Sequence, residues 1–395
     1  MRDPATPGDL DGLLDALRRH PDLEAPELRA WDVADRYLLD TAAALIAGRR
    51  VAVVDDTHGA LSLGALALGA AGVQVHLDSV VARRALASNR ERLGLLEPIE
   101  HRDLDAVAAD AELVLLRLPR SLDRLDAVAR ALARSAPAEA VLIAGNRVKH
   151  MTSAQTEVLR GSFARVDVSL ARGKARLLTA REPIRREPLG PARGYDPEHG
   201  MHIVALPGVF AGASLDIGTR ALLATLESLP PFATAIDLAC GSGVLASALA
   251  RREPAARVIA SDVSQIAVES ARLTAEANGV RIELVHDDAL VGQPDDSADL
   301  VLLNPPFHVG AAVHTGVALR LFAEAARVLR AGGELRAVWN SHLDYRPALQ
   351  RLVGPTRQVA RTPKFTVTAS RAAARGDDGP SPSPSVSPRR QGPAQ

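Results

Sequence analysis

The stretch Ile236-Asp237-Leu238-Ala239-Cys240-Gly241-Ser242-Gly243-Val244 decides how the chain is read. An apolar run, Ala233–Leu238, enters a glycine turn that opens a helix over Gly243–Arg252. Glycines there let the backbone turn sharply and let a ligand approach the free N–H groups at the helix start. Asp262 follows the next apolar run, Arg257–Ser261, and is placed to accept hydrogen bonds from ribose hydroxyls. Asp287 and Asp288 follow the third run, Arg281–Val285, on the adenine side of the same ligand. The string Gly241–Ala246 also satisfies G-x-G-x-x-G/A, so the turn alone does not separate a nicotinamide dinucleotide from S-adenosylmethionine.

Outward from this turn the pattern alternates. Helix Gln265–Ala277, strand Asp299–Leu303, helix Ala318–Leu329 and strand Glu334–Val338 complete a unit of the doubly wound α/β class, with helices covering both faces of a parallel sheet. The same order stands upstream, where strands Val51–Asp55, Val73–Leu77, Glu112–Leu116 and Ala140–Ala144 alternate with helices. Asp55 and Asp78 are 23 positions apart, Asp237 and Asp262 are 25 apart. Leu115-Leu116-Arg117-Leu118-Pro119 occupies the place of Leu302-Leu303-Asn304-Pro305-Pro306. These matches predict a tandem duplication, with domains over 1–190 and 191–375 joined through the Pro-rich stretch Pro183–His199. The Pro/Ser-rich residues 376–395 are expected to be a disordered tail.

The 395 residues are 47 % apolar and 24 % charged, a composition suited to two globular domains. A single cysteine, Cys240, excludes a disulfide scaffold, and no apolar run is long enough for a membrane helix. With a polar N-terminus as well, a cytoplasmic protein is expected. A monomer is the default, because two fused copies already make a dimer-like arrangement. No metal is expected. Forty-seven basic residues balance forty-seven acidic ones, so no net charge draws the chain to nucleic acid. Locally, Ile143–Arg186 holds ten basic residues against three acidic ones, which suits either a phosphate-binding stripe or a solvated face.

The fourth apolar run of the second half ends abruptly in Asn304-Pro305-Pro306-Phe307-His308. Prolines fix the chain and remove donors. That leaves the Asn304 side-chain oxygen and the Pro305 carbonyl as two convergent acceptors for the N–H groups of an amine or amide. Phe307 offers a flat face on which a planar base can stack. Hydride transfer needs no such element, so an oxidoreductase falls behind.

Together these residues resemble class I S-adenosylmethionine-dependent methyltransferases acting on amino nitrogens. The wider context is more specific. Val209-Phe210, Leu215-Asp216-Ile217-Gly218, the Asn304–His308 string and Asn340-Ser341-His342-Leu343-Asp344-Tyr345 resemble the bacterial ribosomal RNA guanine-N2 methyltransferases with tandem domains. Ala30-Trp31-Asp32-Val33-Ala34-Asp35 and His342-Leu343-Asp344-Tyr345 are more similar to the large-subunit (23S) group than to its 16S sibling.

The resemblance implies a cofactor, S-adenosylmethionine, held by Asp237, Ala239, Gly241, Gly243, Asp262, Asp287, Asp288 and Asn304. It implies catalysis by Asn304, Pro305 and Phe307, with His308 a positioning or loop residue and Cys240 a small apolar one. Ala239 stands where the family has a glycine, and alanine fits there with a negative φ. The first half lacks the glycine turn and the Asn-Pro-Pro-Phe element, so it is read as a degenerate copy that binds no cofactor. RNA recognition is one role for it, with Arg117, Arg120, Arg147, Lys149, Arg172, Lys174 and Arg176 as candidate contacts; a purely structural role is the other. Two further readings stay open: methylation of adenine-N6 or protein glutamine, and a non-enzymatic RNA-binding or ribosome-assembly protein.

Overall fold

In the computed structural model, residues 7–95, 97–306 and 311–373 are described. The first half opens with α1 (Pro7–Ala16) and α2 (Val33–Ile46). Then come β1 (Arg50–Val54), α3 (Ala60–Ala67), β2 (Gly72–His76), α4 (Val80–Arg92), β3 (Ile99–His101) and β4 (Leu113–Arg117). It closes with α5 (Leu122–Ser135), β5 (Val141–Arg147), α6 (Ser153–Arg160), β6 (Phe163–Val168) and β7 (Ala175–Pro183). A hairpin of β8 (Ala192–Asp196) and β9 (Met201–Ala205) leads into α7 (Ile217–Leu223). The second half continues with β10 (Thr234–Leu238), α8 (Val244–Arg252), β11 (Arg257–Asp262), α9 (Gln265–Ala277) and β12 (Glu283–His286). Last are β13 (Ala298–Leu303), α10 (Ala311–Val328), β14 (Leu329–Asn340), α11 (Arg346–Leu352), β15 (Thr356–Arg361) and β16 (Phe365–Arg371).

Strand order repeats between the halves: β3-β2-β1-β4-β5-β7-β6 in one sheet and β12-β11-β10-β13-β14-β16-β15 in the other. The sheets are not wholly parallel. In each, the last two strands run antiparallel, β7 against β5 and β6, β16 against β14 and β15. That corrects the expectation of parallel sheets, and the physical reason lies in the connections. The strands of each closing pair are separated by a short turn rather than by a crossover helix, and only an antiparallel pair can be joined that way.

Alternation along the central strands feeds two cores. Val51 and Val53 of β1 pack with α2 and α3, while Ala52 and Val54 pack against α5. In the second sheet, Ile236 and Leu238 of β10 face α10 and α11, while Ala235 faces α7 and α8. Both faces are covered, as the near-continuous apolar runs require.

One buried charge braces the region that matters below. Arg336 on β14 is fully buried. Its Nε donates to Glu334 at 2.9 Å, and its Nη1 donates to the Thr225 carbonyl and to Ser228 Oγ, both at 2.9 Å. The segment just after α7 is thereby tied to the sheet. Removing one partner of a buried pair strands the other, at about 3 kcal/mol or more. Arg336→Met is expected to lower the unfolding free energy by about that amount, measured by urea denaturation.

Candidate active site

The glycine turn lies at the carboxyl end of β10. Gly243 (φ +73°) caps α8, and a Cβ there would sit 2.5 Å from the Ala271 side chain, so only glycine fits between α8 and α9. Gly241 (φ +52°) has open space where a Cβ would stand. Ala239 corrects the negative-φ expectation: its φ is +59°. The turn demands the left-handed region there whatever the residue, at a cost of about 1 kcal/mol or more for a side chain bearing a Cβ. Ala239, Gly241, Ser242 and Asn304 line a cleft together with Phe210, Leu215 and Asp216.

Asp237 is fully buried beneath the turn, where its carboxylate accepts from Ala246 N at 2.9 Å. It shapes the turn rather than lining the cleft. Burial, partly offset by that hydrogen bond, and the neighbouring Asp262 charge raise its pKa to about 7. Asp262 stands at the end of β11 with one oxygen accepting from Gly241 N and the other from Ser264 N, both at 3.0 Å. Burial raises its pKa as well. A carboxylate has about four acceptor sites, so two remain for hydroxyl donors. Asp287 accepts from Gly292 N at 2.6 Å and from Arg84 at 2.8 Å. Burial opposes its ionisation, but those bonds outweigh burial and hold its pKa low. Asp288 pairs with Arg320 at 2.6 Å. Cys240 is buried, and burial pushes its thiol far up, which suits an inert packing residue.

Asn304 sits where β13 ends. Its Nδ2 donates to both oxygens of Asp216 and to Thr219 Oγ1, each at 3.2 Å. With the amide hydrogens directed to those acceptors, Oδ1 is left as a fixed acceptor. Gly218 permits the approach, because a Cβ there would come within 2.9 Å of Oδ1. Asp216 does double duty, since its carboxylate also accepts from Gly218 N and Thr219 N as the N-cap of α7. Pro305 is buried beside it. Phe307 and His308 lie outside the described residues.

Asp216, Gly218 and Thr219 were not among the expected site residues. A sequence signal existed: Leu215-Asp216-Ile217-Gly218 and Trp31-Asp32-Val33-Ala34 both place an aspartate N-cap before a helix at matching points of the duplication.

In the first half Arg117 stands at the Asn304 position and pairs with Asp32 and Asp35, both at 2.8 Å. Its side chain is only 19 % exposed. As an expected RNA contact it is therefore corrected: two carboxylates already neutralise it. Arg120 and Lys149 are exposed, as are Arg172 and Lys174, whereas Arg147 and Arg176 are half-buried. Backbone pairing of Arg147 with Ala175, and of Val148 N with the Lys174 carbonyl, gathers four of these side chains at the carboxyl edge of β5. Arg120 joins them through His150 at 3.1 Å. Of these, Arg172 also meets Asp40 at 3.0 Å and Arg147 meets Asp32 at 3.3 Å.

Elsewhere, Asp196, Glu198 and His199 have cation-ligand spacing, the one such group among the described residues. Arg220 bridges Asp196 at 2.9 Å and also pairs with Glu198, so the carboxylates are already neutralised. No helix among the described residues is long and apolar enough to cross a membrane.

Comparison with known proteins gives the family. Residues 200–369 match the methyltransferase small domain, and residues 10–183 match the RLMG N-terminal domain. Proteins named ribosomal RNA large subunit methyltransferase G are similar over nearly their whole length. The Shewanella amazonensis protein is 34 % identical, covering 92 % of this chain and 96 % of its own. The Streptomyces coelicolor protein is 38 % identical, covering 89 % and 96 %. The chain belongs to this methyltransferase family. A solved T. thermophilus 16S rRNA N2 methyltransferase, in complex with AdoMet and guanosine, shares the fold with a TM-score of 0.73. It is 24 % identical and covers 89 % of this chain and 97 % of its own.

Two outcomes follow for the site. Asp216→Ser keeps an N-cap acceptor for α7 but is too short to hold the Asn304 amide. Turnover of methyl transfer should fall about tenfold to a hundredfold with little change in the thermal midpoint, which a rate assay beside a melting curve checks. The second concerns pH. A folded-state pKa of about 7 for Asp237 lies above its ordinary 3.8. The associated stability is therefore present in full below pH 4 and is lost as pH rises through 7. Asp237→Asn, which keeps the bond from Ala246 N, should flatten that part of a melting-temperature profile.

Proposed function

We propose that the chain methylates the exocyclic N2 amine of a guanine in 23S ribosomal RNA, with S-adenosylmethionine as methyl donor. The observation that carries this reading is the fixed Asn304 acceptor in the cleft that the glycine turn also lines. The names of the relatives support the large ribosomal subunit as source of the substrate. The cofactor reading is supported by open space beside Gly241 and by the unfilled acceptor sites of Asp262.

When bound, S-adenosylmethionine supplies an electrophilic methyl group on sulfur. Gly241 and Ser242 would flank it, Asp262 would hold the ribose hydroxyls, and Asp288 with the loop after it would border the adenine. Asp287 would stand on the same side, with its carboxylate supporting the loop through Gly292 N and Arg84. An aromatic amine is a weak nucleophile, since its lone pair is delocalised into the ring. Asn304 Oδ1, with the Pro305 carbonyl, would accept the amine hydrogens, aim the lone pair and stabilise positive charge developing on nitrogen. The methylated nitrogen becomes acidic, so no strong general base is required. Phe307 would stack on the base.

The exposed basic edge around Arg120, Lys149, Arg172 and Lys174 would hold RNA phosphates. Two fused halves let the protein work as a monomer in the cytoplasm, where its substrate is made.

The direct test is methyl transfer from labelled S-adenosylmethionine to 23S RNA, 16S RNA and assembled subunits from a strain lacking this gene. N2-methylguanosine in 23S RNA, absent with Asn304→Ala, is the expected outcome of nucleoside mass spectrometry. Label in 16S RNA would move the substrate to the small subunit, and label on adenine or on protein would overturn the guanine reading. Replacing Arg120, Lys149 and Lys174 together by alanine should weaken RNA binding, with the slope of log affinity against log salt falling by about 2–3. Filter binding at several salt concentrations measures it.

A further inference from the structure

The two halves meet at equivalent positions. Ser79 and Ser264, the N-caps of α4 and α9, form an antiparallel bridge. The backbone bonds are reciprocal: Val80 N donates to the Val263 carbonyl at 2.9 Å, and Gln265 N donates to the Asp78 carbonyl at 3.1 Å. The Asp78 carboxylate adds bonds from Ser264 Oγ at 2.6 Å and Ile266 N at 3.0 Å. This seam begins one residue beyond Asp262, so the first half borders the ribose side of the cleft.

From α4, Arg84 crosses the seam and donates to Asp287 at 2.8 Å. The Asp287 side chain is only 6 % exposed. Its other oxygen accepts from Gly292 N and so closes the loop 287–292. Within that loop Ala289 (φ +51°) and Leu290 (φ +67°) are both left-handed, a conformation that persists only when the surroundings over-determine it. Two such residues in succession need clamping: Asp287 supplies it on the side of the seam, and Arg327 supplies it from α10, donating to the Leu290 carbonyl at 2.7 Å. A second contact reaches the same region, since Arg320 holds Asp288 while also donating to the Pro21 carbonyl of the first half at 3.3 Å.

We propose that Arg84 is a cofactor-positioning residue supplied by the degenerate half: it fixes Asp287, and through it the strained loop that carries Asp288 to the adenine side of the cleft. The first half then sets cofactor affinity without binding cofactor itself. This rests on the S-adenosylmethionine reading of the cleft.

The test uses the full chain and calorimetric titration with S-adenosylmethionine and with S-adenosylhomocysteine, which shares the adenosine. Arg84→Ala should weaken both about tenfold, the scale of one hydrogen bond to a charged group, and Arg84→Lys should recover part of the loss. The cofactor KM should rise while kcat at saturation holds. Hydrogen exchange at residues 287–292 should speed up, with the apo melting temperature little changed. Arg83→Ala removes a different seam contact, the 2.6 Å bond to Gln265, and should leave both affinities intact. Unchanged affinity in Arg84→Ala would overturn the proposal. So would an equal loss in Arg83→Ala, which would mean general loosening of the seam. Failure of the wild type to bind either ligand would instead overturn the cofactor reading beneath it.

Discussion

The bond between the Asn304 amide and the Asp216 carboxylate is the constraint around which the catalytic half is arranged. A primary amide can present either donors or an acceptor to a substrate, and only two acceptors behind it remove the choice. Asp216 and Thr219 supply them from the first turn of α7. That helix is in turn held from behind by the buried Arg336, which fastens the segment after it to β14. Gly218 is the spacing condition, since a methyl group in its place would displace the amide oxygen.

The first half keeps this device with its polarity changed. Asp32 caps α2 as Asp216 caps α7, and the residue reaching it from the strand end is Arg117 rather than Asn304. A guanidinium has only donors, so it offers nothing to an amine. With Asp35 alongside, the charge is locked in place, and burial raises the Asp35 pKa to about 6. The glycine turn changed in the same way. Asp55 stands at the place of Ala239, with φ +60° beside +59°, and not at that of Asp237 as the aspartate spacing suggested; Gly59 likewise stands at the place of Gly243. The Asp55 carboxylate meets Arg124 at 3.5 Å where a ligand would otherwise find open backbone. The backbone turn is common to both halves although the side chains around it differ.

What the amino-acid sequence makes legible is whatever depends on neighbours along the chain. The Asp237–Gly243 turn, Asp262 and the abrupt end of the fourth strand are local patterns, and the duplication is a comparison of such patterns. The antiparallel pairs β6–β7 and β15–β16 were harder to see. In each pair one strand is largely exposed, β6 and β15, while its partner, β7 or β16, is largely buried, so the two strands of a pair share no common pattern along the sequence. Arg117 looked like an RNA contact because its two carboxylate partners lie more than eighty residues upstream. The second acceptor set behind Asn304 and the bridge from Arg84 to Asp287 are likewise contacts between distant segments, which periodicity does not encode.

These long-range contacts also join the two halves of the duplication. The halves join by pairing equivalent strand ends, so a pseudo-symmetric seam arises directly from the duplication, with Asp78 O to Gln265 N answered by Val263 O to Val80 N. Such a seam necessarily lies beside the cofactor side of each half, because that is where the second strand of each sheet ends. Arg117 and Arg124 pair with carboxylates of the first half itself, whereas Asp78 and Arg84 pair with groups across the seam. The charged groups of the first half are thus divided between its own strand ends and the edge of the second half, and the seam is where that division falls.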